Sequence, residues 1–211
     1  MTVHIARRLS GMPEKVSLIG SIDVARQHIV QPVTRKFLDV YADLLPARLP
    51  MRAEMGPERL VQCLPYMAIM DCGDLQAPFY RLAGTIYSQY FGTNPTGQNY
   101  LSYVPEHRHA AVKESFGTCL HQPCGMLMKI LGASAEGHER MTETLGLPVA
   151  DDATGLARFI YLTTVALENV GWTDDATLFT KRIDVLERKF LDIGFGTPAT
   201  YLGIELSLID A

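Results

Sequence analysis

The sequence predicts an α+β fold: a five-stranded antiparallel sheet with helices packed on one face, plus N-terminal and C-terminal extensions. Three observations lead there. Its elements run helix, helix, strand, strand, several short helices, then three strands, and such an order builds one antiparallel sheet with segregated helices. The first two strands, PYMAIMDC and FYRLAG, are separated by a short polar turn, the spacing of a hairpin. The last strand, ARFIYLTTVAL, is β-branched and aromatic with little polar alternation, as expected of a central strand covered on both faces.

Each element has a local reason. Residues 1–31 show no clean period; Val16, Leu18, Ile19 and Ile22 cluster around Gly20. This is an arm with one strand or a turn of helix, whose apolar residues need cover from the fold or from a second subunit. From Pro32 a helix follows, since proline costs little in a first turn. Val33, Phe37, Val40, Tyr41 and Leu44 form its apolar stripe, and Leu45-Pro46 ends it. A proline-bound loop carries Arg48 and Arg52, and Pro57 restarts a helix with Leu60, Val61 and Leu64 on one side.

In FYRLAG, alternation puts Tyr80 and Leu82 on one face and Phe79, Arg81 and Ala83 on the other. A short aromatic helix, TIYSQYFG, and a turn, TNPTG, follow; Gly97 suits a positive φ there. Pro105 opens the longest helix, which runs towards Gln122-Pro123. GMLMKIL, RMTETLGLPV and ARFIYLTTVAL are the last three strands. In the tail, Phe179, Ile183, Leu186 and Phe190 fall at spacings of four, three and four. That predicts one amphipathic helix starting at Thr173, with RKFLDIGFG continuing as a strand as the alternative. The expected organisation is an arm over 1–31, a central domain over 32–172 and a C-terminal helix and tail over 173–211.

Composition narrows the function. With 47% hydrophobic residues and 20% charged, a core of ordinary size is available. A net charge of −4 without a basic block gives no reason to expect nucleic acid or a membrane surface as partner. No apolar run is long enough to span a bilayer or to form a signal-peptide core, so the expected location is cytoplasmic. There the four cysteines are free thiols.

Together the pieces resemble a PAS domain. VPEHRHAAVKESF is similar to the helix opening of that fold, with His107 where aspartate is usual. The chain more narrowly resembles the bacterial PAS_5 family, through LPMR at Leu49 to Arg52, the Pro57 helix, LPYMAIMD, FYRLAGT and GTNPTGQNYL, over Val33 to Trp172; the tail KFLDIGFGTP is similar too. The resemblance implies a sensory module with no catalytic residues, which binds a small molecule and signals through a separate protein. It also implies homodimers built through flanking helices. The alternative is a ligand-free adaptor between proteins.

The expected ligand site is a cup lined by Tyr80, Leu82, Tyr87, Tyr90, Phe91, Tyr103, His109, Phe116, Met128 and Tyr161. Tyrosine offers an apolar ring and a hydroxyl, which suits orienting a mixed ligand; the blander reading is that the rings fill the core. No cofactor is named by the sequence. His107, His109, Cys119, His121 and Cys124 lie close together, and Cys-x-His-x-x-Cys resembles half of a zinc site. His107 or His109 matches a haem ligand position of some PAS domains. In both cases separate surface or core residues are the preferred reading. Arg48 and Arg52 are read as loop braces rather than anion ligands. Glu106, Glu114 and Glu139 are read as solvated, and GTNPTG lacks the Lys-Ser/Thr pair of a phosphate loop.

Overall fold

Strand alternation puts apolar side chains on both faces of the sheet, so both faces need cover. A computed structural model describes residues 14–45, 48–135, 137–170, 180 and 182–209. Its strands are β1 (Lys15–Ile19), β2 (Met67–Asp71), β3 (Phe79–Ala83), β4 (Gly125–Ala133), β5 (Glu139–Ala150), β6 (Ala157–Val170) and β7 (Arg182–Leu191). They form one sheet in the order β1-β7-β4-β5-β6-β2-β3. The five expected strands, β2 to β6, are antiparallel throughout, with β2 and β3 as the hairpin and β6 central. The extensions add β7 antiparallel to β4 and β1 parallel to β7.

The helices are α1 (Ile22–His28), α2 (Pro32–Ala42), α3 (Pro57–Leu60), α4 (Thr85–Phe91) and α5 (His109–His121). On the cup face, Tyr80 of β3, Tyr87 of α4 and Phe116 of α5 pack over Met126, Met128, Ile160, Leu162 and Phe190. Helices are not confined to this face. Leu127, Leu145, Leu147, Val149, Phe159 and Tyr161 project from the opposite one, where Ala25 of α1 and Phe37, Leu38 and Tyr41 of α2 cover them. Burying each of the large α2 side chains contributes about 1.5–3 kcal/mol.

Long-range polar contacts fix this layer. Gln31 has no side-chain cap to offer the start of α2. Instead the buried Glu143 carboxylate of β5 accepts from the Val30 and Gln31 N–H groups at 2.7 and 3.0 Å, satisfying two backbone donors at the entry to the helix. Tyr41 donates its hydroxyl to the Pro148 carbonyl at 2.6 Å. The described part of the arm packs on the fold: Leu18 and Ile19 are buried. The tail bridges the outer edge of β1 at Leu18, through Leu18 N–H to Ser207 O and Ile209 N–H to Leu18 O.

The expected tail helix is corrected. Ile183, Leu186 and Phe190 stand on β7; Phe179 and the expected cap at Thr173 lie outside the described residues. The cause is a bulge. Lys129 pairs with Glu187 and Ile130 with Val185, so Leu186 is an extra residue. Ile183 and Val185 before it therefore share the cup face with Arg188 and Phe190 after it. A bulge breaks the period of two, and the apolar spacing then imitates a helix. Among the described residues no helix is long and apolar enough to cross a membrane.

Candidate functional site

The aromatic helix and turns after β3 are held in place by backbone. Gly97 takes φ +82, donates its N–H to Tyr80 O at 2.6 Å, and Tyr80 N–H returns to Gln98 O. Tyr80 is thereby fixed at the centre of a ring cluster: Tyr87 at 5.9 Å, Tyr100 at 5.5 Å and Tyr103 at 5.8 Å between centroids. Tilted and edge-on contacts of this kind suit the ring quadrupoles.

Between these rings and the sheet lies a cavity of about 90 Å³. Tyr80, Tyr87, Tyr90, Phe91, Phe116 and Met128 line it, together with Tyr100. The aliphatic wall comes from Val112, Ile130, Leu162, Ile183 and Val185. The sheet adds hydroxyls in a chain: Tyr87 to Thr164 at 2.9 Å, and Thr164 to Thr144 at 3.1 Å, all buried. Burial pushes the Tyr90 phenol up to about 12, against the pull of the nearby Arg140 guanidinium, which sits 4.3 Å over its ring.

Four expected site residues lie elsewhere. Leu82 pairs with Ile69 while Tyr80 pairs with Met70, so Arg81 is an extra residue that turns Leu82 to the other face, where it is 40% exposed. Tyr161 alternates with Ile160 and Leu162 and points into the α2 layer. Tyr103 packs behind the lining, 4.5 Å from Phe91. His109 Nε2 sits between the Leu101 and Val104 carbonyls at 3.0 and 2.9 Å; only a protonated nitrogen satisfies both, so it braces the start of α5.

The metal and haem candidates do not converge. His107 and His121 are exposed, while Cys119 and Cys124 are buried with sulfurs 3.9 Å apart. Among the described residues no group of three ligating side chains is suited to a metal. The cavity is also too small for a haem, against roughly 300–1,000 Å³ for sites enclosing drug-sized ligands. Arg48 braces its loop by two 2.8 Å bonds to Glu54, and Arg52 pairs with Asp152 at 3.3 Å. Glu106 and Glu114 are exposed, but Glu139, expected in solvent, is buried at the start of β5.

Charged groups are the part of the site that sequence reasoning missed. Arg188 of β7 lines the cavity at 2% exposure. Its Nε donates to Glu14 Oε1 at 2.6 Å, and Arg108 donates to Glu14 Oε2 at 2.7 Å. The signal was present: with a bulge at Leu186, Arg188 falls on the face of Ile183, Val185 and Phe190.

A five-stranded antiparallel sheet with an aromatic cup under α4 and α5 is the architecture of a sensory PAS domain. A family model described as a PAS domain, PAS_5, matches residues 31–162; the chain belongs to that family. No curated protein matches. Among solved structures it is similar to one described as "Flavin Analogue Sheds Light on Light-Oxygen-Voltage Domain Mechanism", at 13% identity and a TM-score of 0.40, covering 53% of this chain and 83% of that one. A likeness of that strength carries no inference about flavin.

Proposed function

We propose that this PAS domain binds a small ligand in the cup and signals through a separate partner protein, without catalysing a reaction. The observation that carries this reading is the cavity between the rings and the sheet with a buried guanidinium on its wall. A cup that served only as core gains nothing from a desolvated charge on its wall. Ligand binding biases the protein by its differential affinity for two states. The non-catalytic part is supported by the chemistry of the lining: among the described residues around the cavity there is no carboxylate, imidazole, thiol or amine to act as an ordinary general base. Homodimers formed through flanking elements belong to the same proposal.

The ligand-free adaptor is the second reading. It is favoured by the cavity volume, which is small because rings occupy most of the cup. An NMR screen of small-molecule mixtures against labelled protein separates the two. Shifts at Tyr87, Val112, Thr144 and Thr164 that vanish in Val112→Trp, with the fold intact, support binding. Absence of any cup shift, with shifts confined to the surface on adding a partner extract, supports the adaptor.

A further inference from the structure

We propose that the cup takes a small monocarboxylate, whose charged end displaces Glu14 from Arg188 and Arg108 and thereby loosens the start of β1. This rests on the ligand-binding reading above and names its chemistry.

Charge comes first. Around Glu14 two guanidiniums meet one carboxylate, with side chains 3%, 19% and 9% exposed for Arg188, Arg108 and Glu14. Among the described residues two guanidiniums thus share one carboxylate beside an apolar cavity, with the Tyr201 ring 5.4 Å from Arg188 as its further partner, and attraction for an anion there is far stronger than in water. Geometry comes second. Glu14 spends one oxygen on each arginine, so neither has the bidentate pairing that a guanidinium favours. Apart from Glu14, the acceptors of Arg188 are the Met126 and Met128 sulfurs, at 3.5 and 3.3 Å, and thioethers accept weakly. A ligand carboxylate has an unmet demand to satisfy.

Size and surface define the rest of the ligand. A space of about 90 Å³ is smaller than the roughly 150 Å³ engineered cavity that holds benzene. It suits a short chain, or a ring that gains room when Glu14 withdraws. Val112, Ile130, Leu162, Ile183 and Val185 suit an apolar tail.

Glu14 is also placed to report occupancy. It immediately precedes β1, which pairs with β7 from Lys15 opposite Glu187 to Ile19 opposite Leu191. The carboxylate that pairs with the two cavity arginines and the edge strand of the sheet are therefore one segment. A ligand that replaces the first loosens the anchorage of the second.

The test is calorimetric titration of the full chain with sodium butyrate and sodium benzoate, and with the neutral butyramide and benzamide. Wild type, Glu14→Gln, Arg108→Gln and Arg188→Met are compared, each checked by circular dichroism. The expected result is binding of carboxylates over amides by at least tenfold. Glu14→Gln tightens it about tenfold and Arg108→Gln weakens it about tenfold. Arg108 is the less buried arginine, so its variant decides the matter if Arg188→Met fails to fold. Hydrogen exchange at Lys15 to Ser17 should rise on binding. Amides that bind as well as carboxylates, or an affinity unmoved by Glu14→Gln, overturn this inference and leave the ligand-binding reading intact. No binding of any of the four, together with equal native and denatured masses, overturns both.

Discussion

At the residue scale, the buried hydroxyls carry the sharpest expectations. Thr164 bridges Tyr87 and Thr144. Thr164→Val keeps the shape and removes both bonds, leaving a phenol and a hydroxyl unsatisfied. The expected loss is about 1–3 kcal/mol in urea unfolding. A loss near zero means that water or another group replaces the hydroxyl. The phenols also fix the alkaline limit. Burial raises Tyr41, Tyr80 and Tyr87 above the ordinary value near 10 and pushes Tyr161 up to about 12. A raised folded value means that stability is intact below the unfolded pKa and is lost as pH climbs through the folded ones. Unfolding free energy should therefore fall steeply above about pH 10, with the 295 nm phenolate signal appearing together with unfolding. Tyr66 and Tyr103 are only partly buried, so it is phenolate from most of the nine tyrosines, formed while the fold persists, that would contradict the buried placement.

At the scale of elements, two glycines around the β3–α4 connection differ in what they permit. Gly84 has an ordinary φ of −69, but an added Cβ would lie 2.2 Å from Leu64 O and 2.5 Å from Pro65 O. Gly97 has φ +82 and open space around it. Gly97→Ala should cost about 1–2 kcal/mol of backbone strain. Gly84→Ala meets main chain and should cost about 3 kcal/mol or more. Denaturant titration of both variants checks the order. The acid side belongs to the β2–β6 pairing. Burial alone would raise the Asp71 carboxyl, but two 3.0 Å bonds from Arg158 and one from Gly73 N–H outweigh it and lower its pKa. Its contribution is present above the unfolded value and lost as pH falls through the lowered folded one. Asp71→Asn should therefore be less stable than wild type at pH 6 and closer to it at pH 3. An unchanged gap would contradict the pairing.

At the scale of the whole molecule, local pattern made the five central strands and the cup legible. Gly97 was readable because a turn between ring-bearing segments needs positive φ, and Tyr80, Tyr87 and Phe116 because they sit on regular elements facing inward. Leu82, Tyr161 and β7 were misplaced for related reasons. An extra residue at Arg81 and at Leu186 shifts alternation, and the central strand β6 is apolar on both faces, so its pattern does not say which face holds a cup. Of the charged part, only the face of Arg188 has a local signal, and only with the bulge at Leu186; its partner Glu14 lies 174 residues away. Such a pair exists only once both extensions have joined the sheet.

A cup that binds must hold a small molecule within it. Native mass spectrometry of the purified chain, set against its denatured mass, addresses this most directly. The expected native mass exceeds the denatured one after short carboxylates are added, with the excess removed by Val112→Trp. A native mass that stays bare with every small molecule offered, while Val112→Trp leaves partner binding unchanged, would contradict it and leave a filled PAS adaptor.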